Sequence, residues 1–199
     1  MKKIETIWHH LLYQALTEKK FKHTQKDLAK NFGYSLSTVN HALSVPTQLG
    51  AVRKTAKFFV LADFDKLLYY WASVRNLERD IVYQTTLAEP IAQIEGLIPS
   101  GTIYAAYSAA KKILPEPPTD YSKVYFYSDE RILKDVKRRF PQSQTKEANI
   151  FVLKMPETMP RYGKITTLPQ TFVDIWNLHD WYAKDFIKNL EEKMHGILS

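Results

Sequence analysis

The chain contains no cysteine. That gap excludes disulfide staples, cysteine-ligated zinc, iron–sulfur clusters and thiol nucleophiles together. Glycine is scarce at six residues, and no GxGxxG, P-loop or GxSxG pattern occurs, so the glycine-built phosphate cradles and nucleophile elbows have no sequence basis here. No apolar run approaches the roughly 18 residues that a membrane span requires; the longest lies around Phe58–Ala62. The start, Met1-Lys2-Lys3-Ile4-Glu5, is charged, but a histidine pair and Gln14 interrupt the apolar stretch behind it, unlike a secretory signal. The expectation is a cytoplasmic protein with no membrane partner.

What is present fits a globular chain. With 199 residues, 45% hydrophobic and 25% charged, it has the size of one medium domain or two small ones. The net charge of +7 is unevenly placed. Residues 1–62 hold ten Lys and Arg (Lys2, Lys3, Lys19, Lys20, Lys22, Lys26, Lys30, Arg53, Lys54, Lys57) against Glu5, Glu18 and Asp27, and residues 63–199 hold eighteen of each sign. A basic segment on a neutral body points to one module facing a polyanion and another facing something else.

Within the basic third, Ile4, Ile7, Trp8, Leu11, Leu12, Ala15 and Leu16 recur at helical spacing, which predicts a helix over 3–16 with one buried face. A basic loop over Glu18–His23 follows. Thr24 has N-cap chemistry for a short helix over residues 25–32, with Asp27 at the capping-box position. Gly33 suits a left-handed C-cap. Ser35 caps a third helix, Leu36–Val45, with Leu36, Val39, Ala42 and Leu43 facing inward; Pro46 is expected to stop or kink it, since proline lacks the backbone donor. Two short helices joined by such a turn form a helix-turn-helix.

The segment Thr24-Gln25-Lys26-Asp27-Leu28-Ala29, continued by Gly33-Tyr34-Ser35-Leu36-Ser37-Thr38-Val39-Asn40-His41-Ala42-Leu43, resembles the helix-turn-helix of winged-helix transcriptional regulators. Leu49–Val52, the basic tip Arg53-Lys54-Thr55-Ala56-Lys57 and Phe58–Leu61 then read as strand, tip, strand, the family's β-wing. The resemblance implies that Ser35, Ser37, Thr38, Asn40 and His41 face the major groove, and that Arg53, Lys54 and Lys57 touch the flanking backbone. Gln25 and Lys26, opening the second helix, complete the DNA-binding candidates. The chemistry suits duplex DNA on its own terms. Short polar groups reach base edges or phosphates at little desolvation cost, Asn40 can pair bidentately with adenine for about 1–3 kcal/mol of discrimination, and the lysines supply salt-dependent attraction. A protein-docking module is the competing reading, and RNA stays an alternative, although no stacking-aromatic signature is present.

Beyond residue 62, Asp63 or Asp65 can cap a helix through about Asn76 with Leu67, Leu68, Trp71 and Val74 on one face, a seam for the chain's own core or for a homodimer. A strand is expected over Arg79–Thr86 and a domain boundary near Thr86–Pro90. Helix Ile91–Leu97, strand Thr102–Ala105, helix Ala106–Leu114, strand Lys123–Tyr127, helix Glu130–Phe140, strand Asn149–Lys154, an extended piece Lys164–Thr167 and one long helix Gln170–His195 complete an α+β pattern. The domains are therefore placed at 1–62 (winged helix-turn-helix), 63–87 (helical linker) and 88–199 (small α+β effector, dimerisation or partner-binding domain).

Three stretches of the last domain, Gly101–Ala109, Lys123–Tyr127 and Leu168–Trp176, resemble the C-terminal domain of AbiEi-type antitoxin regulators. The resemblance implies a degenerate nucleotidyltransferase-like fold. An active one needs paired carboxylates for Mg²⁺, and the corresponding strand, Val124-Tyr125-Phe126-Tyr127, carries none; Asp120, Asp129 and Glu130 flank it without metal-pair spacing. His9 and His10 are adjacent and point to different sides of a helix. His179, Asp180 and Asp174 read as satisfied surface groups, and Lys137-Arg138-Arg139 as a solvated face. No catalytic residue, metal ligand or cofactor is expected. The leading expectation is a DNA-binding transcriptional regulator, with an antitoxin-like interaction protein that binds a partner protein as the alternative.

Overall fold

The computed structural model describes residues 1–143 and 147–199, and the chain is an α+β protein. Two compact units are present, residues 1–75 with 194–199, and residues 76–193. The break between Arg75 and Asn76 lies ahead of the expected boundary at 86–90. The expected linker is thereby divided: its helix joins the first unit, and its strand is the edge of a sheet in the second.

The first unit runs α1 (Lys3–Glu18), β1 (Lys22–His23), α2 (Gln25–Phe32), α3 (Leu36–Gln48), β2 (Val52–Lys54), β3 (Phe59–Leu61) and α4 (Phe64–Val74). Its sheet is antiparallel in the order β1-β3-β2. The Lys22–His23 pair, expected to be loop, becomes a strand because it finds Val60 and Phe59 across the sheet. Helix α1 is buried on more than the expected single face, since His9, His10, Thr6 and Gln14 are enclosed along with Ile7, Trp8, Leu11 and Leu12. Glu5 Oε2 accepts from both Trp71 Nε1 (3.3 Å) and Arg75 (3.4 Å), which ties α1 to α4 through a buried ion pair.

The helix ends follow local chemistry. Thr24 Oγ1 accepts from the Asp27 amide at 3.1 Å, and Ser35 Oγ from the Thr38 amide at 3.1 Å. Asp27 does not complete a capping box: one methylene shorter than Glu, it takes the Thr24 hydroxyl at 2.7 Å instead. Gly33 closes α2 at φ 64, as a left-handed cap requires. Asp63, not Asp65, caps α4 through the Lys66 amide, and that bond draws its carboxyl below the usual range.

Two expectations for α3 are corrected. The helix runs through Pro46 to Gln48. The carbonyl that proline leaves without its partner, that of Ala42, accepts from Trp8 Nε1 at 2.6 Å, so the missing donor is replaced across the core. Leu36 does not face inward. It is 50% exposed at the helix start, whereas Val39, Ala42, Leu43 and Pro46 are buried. Val74, expected on the apolar face of α4, is also exposed.

The second unit contains β4 (Ile81–Thr85), α5 (Ile91–Leu97), β5 (Ile103–Ala105), α6 (Ala106–Ile113), β6 (Val124–Ser128), α7 (Glu130–Arg139), β7 (Ile150–Lys154), α8 (Leu168–Trp176) and most of α9 (Ala183–Leu198). The sheet order is β4-β7-β6-β5, with β6 and β7 parallel and both outer strands antiparallel. Strand β6 is buried on both faces, which its continuous apolar run reflects. Val124 and Phe126 join Ile94, Val136, Phe140, Ile150 and Val152 on one side; Tyr125 and Tyr127 meet Tyr107 and Asp174 on the other.

The expected single helix over 170–195 is two helices. No proline or glycine breaks it. The interruption over 177–182 lets Asp180 accept Tyr107 Oη at 3.0 Å and Lys123 Nζ at 2.5 Å, bonds that a continuous helix would not allow. Trp176, just before this interruption, and Trp181, within it, are exposed, Trp181 by 81%.

Candidate nucleic-acid interface

The whole charge excess of the chain falls in the first unit. Residues 1–75 and 194–199 hold twelve Lys and Arg against five acids, and residues 76–193 hold sixteen of each sign. Among those cations, Lys26, Lys54 and Lys57 border one groove of about 580 Å³ with Thr24, Gln25, Asp27, Leu36 and Phe58. The first turn of α2 forms one wall and the β2–β3 turn the other.

Short-range bonds fix the turn. The Thr55 amide donates to Phe58 O at 2.8 Å, Thr55 Oγ1 donates to the same carbonyl at 2.8 Å, and the Phe58 amide donates back to Thr55 Oγ1 at 3.2 Å. Lys22 Nζ sits 3.9 Å from the Phe58 ring centroid, so strand β1 braces the turn through a cation–π contact. Lys57 stays exposed at its tip.

On α3, Ser35 Oγ and Thr38 Oγ1 lie 2.9 Å apart around the helix start. Ser37, Asn40 and His41 are exposed. Asn40 is joined to the β-hairpin, because Lys54 Nζ donates to its Oδ1 at 3.0 Å. The structure therefore gathers Gln25, Lys26, Lys54 and Lys57 on one groove and adds Asn40 through Lys54. Ser37, His41 and Arg53 are solvent-facing but outside the groove lining. Sequence reasoning missed Leu36 as an exposed apolar lip and Lys22 as a brace. The Leu36 position offers no signal beyond its adjacency to the Ser35 cap, and the Lys22 contact depends on strand pairing.

Two histidines of this unit are held neutral. Burial, reinforced by the charge of His10, lowers His9 to about 3. Burial also lowers His23, which stacks on Phe59 and faces Lys20 O at 3.1 Å. Neither contributes positive charge to the groove at neutral pH.

Several carboxylates of the second unit are engaged in structure. Asp129 accepts the Ile132 amide at 2.8 Å as the cap of α7. Asp174, expected at the surface, is fully buried and accepts Tyr127 Oη at 2.9 Å and Gln170 Nε2 at 2.7 Å. Glu95 accepts Tyr121 Oη at 2.6 Å. Burial, with Asp180 second, pushes the Tyr107 and Tyr125 hydroxyls upward. Among the described residues no group of three or more His, Asp or Glu could hold a metal ion, and no helix is long and apolar enough to cross a membrane. In the basic run of α7, Arg138 pairs with Asp135 at 2.5 Å and Arg139 donates to Leu97 O at 3.1 Å.

No protein-family model matches the chain, and neither a curated protein nor a solved structure is significantly similar to it.

Proposed function

We propose that the first unit is a winged helix-turn-helix that binds duplex DNA, and that the chain is a transcriptional regulator. The observation that carries this reading is the convergence of three lysines from α2 and the β2–β3 hairpin on one groove, beside a helix whose outward face is Ser, Thr, Asn and His. In this reading α3 enters the major groove, and the hairpin is a wing that lies along the phosphates. Lys26, Lys54 and Lys57 supply backbone attraction, and Ser37, Asn40 and His41 face base edges. The second unit has no catalytic assignment, since Asp129, Asp174 and Asp180 already hold amide, hydroxyl or ammonium partners.

The test is a footprint. The full chain is expected to protect a short duplex segment, and Lys26→Glu with Lys57→Glu to abolish that protection. Protection retained by the double variant places binding elsewhere and ends this reading.

One observation favours a partner protein for the second unit as well. Trp181 is 81% exposed and packs edge-on to Tyr182 at 5.3 Å. A large exposed aromatic is a common anchor of protein interfaces. Trp181→Ala is expected to leave duplex binding unchanged while weakening any complex with that partner.

A further inference from the structure

Lys54 and Asn40 meet across 14 residues of sequence, from β2 to the middle of α3, with Nζ 3.0 Å from Oδ1. The direction of this bond is fixed by chemistry. An ammonium has donors only, so the amide must turn its oxygen towards Lys54 and its NH₂ away. Asn40 is exposed and Lys54 half-buried, so the pair forms a single surface feature on the proposed reading helix.

An asparagine acting alone reads adenine. Its oxygen accepts from the N6 amino group and its NH₂ donates to N7. Here the oxygen is already occupied. Its second lone pair remains, but the ammonium beside it would confront the adenine amino hydrogens. What the pair offers outward is the NH₂ of Asn40 and the two remaining N–H groups of Lys54. Guanine presents two acceptors in the major groove, O6 and N7, and no donor there. A donor-only pair fits that edge.

We infer that Lys54 is a specificity-determining residue: by occupying Asn40 Oδ1 it converts an adenine-reading side chain into part of a guanine-reading pair. This rests on the duplex-DNA reading of the first unit. Lys54 therefore acts on sequence choice, beyond the backbone contact expected of a wing lysine.

The experiment is selection of bound sequences from a randomised duplex DNA library by the full chain, run in parallel for wild type, Asn40→Ala, Lys54→Met and Lys54→Arg. The position whose preference vanishes in Asn40→Ala is the one Asn40 reads. Wild type is expected to carry guanine there, favoured over adenine by about fivefold or more. Lys54→Met is expected to shift that position to adenine, and Lys54→Arg, which keeps a donor, to retain guanine. Adenine in the wild-type pool, guanine unchanged in Lys54→Met, or no position that depends on Asn40 overturns the inference and leaves duplex binding standing. Should Lys54→Met retain no duplex, the wild-type base decides. A wild-type chain that retains no duplex overturns the DNA-binding reading, and the inference with it.

Discussion

Trp8 Nε1 donates to the carbonyl of Ala42 at 2.6 Å, the one α3 carbonyl that Pro46 cannot serve. Proline inside a helix removes one hydrogen bond and crowds the carbonyl four residues back. In this chain the displaced carbonyl points at the indole of α1. The helix-breaking residue therefore does not break α3, and the contact fastens the proposed reading helix to the central helix of its unit.

This predicts coupling between Trp8 and Pro46. Trp8→Phe leaves a buried acceptor without its donor and is expected to cost about 1–3 kcal/mol. In a Pro46→Ala background the amide of residue 46 can serve Ala42, so the same substitution should cost measurably less. Urea denaturation of the four proteins of this cycle checks it, and additive losses would remove the proposed compensation.

The buried ion pair gives a second expectation. Glu5→Gln takes away the carboxylate facing Arg75 and is expected to cost about 3 kcal/mol, as breaking one side of a buried pair does. A loss below about 1 kcal/mol would mean that Arg75 is held mainly by other groups.

Stability should also fall in mild acid. His9 is lowered from 6.5 to about 3 in the folded chain by burial, so below about pH 6.5 the unfolded chain binds a proton that the folded chain refuses. The slope reaches up to about 1.4 kcal/mol per pH unit per such group. The contribution is absent above the unfolded value and grows as pH falls towards the folded one. Between about pH 6.5 and 5, above the ordinary carboxylate range, His9→Gln is expected to flatten the decline in urea midpoint. An unchanged slope contradicts the neutral state of His9.

The groups legible in sequence were those whose partners lie within a few residues. Thr24 and Ser35 cap their helices through amides three positions on, and Gly33 ends α2, all from local chemistry. What escaped depends on distant partners. Pro46 is rescued from α1, 34 residues away in contact with Ala42. The break after Trp176 is held by Tyr107 and Lys123 through Asp180, with no breaker residue to announce it. The same holds for the candidate site: the types and charges of Lys26, Asn40, Lys54 and Lys57 were readable, while the Lys54–Asn40 bond needed the hairpin folded against α3.

Lys57 separates attraction from reading. It is exposed at the hairpin tip, where a phosphate contact carries no sequence information. Lys57→Ala is expected to weaken specific and random duplexes by the same factor and to reduce the salt slope by about 1. A loss confined to the preferred sequence would place Lys57 at base edges instead.

The most direct measurement is the salt dependence of duplex binding by the full chain. Three phosphates neutralised by Lys26, Lys54 and Lys57 give a log–log slope near −2.7, from about −0.9 per contact. Substituting all three with alanine is expected to bring the slope towards zero along with the affinity. A wild-type slope near zero, or a triple variant that keeps the wild-type slope, contradicts duplex recognition by this groove.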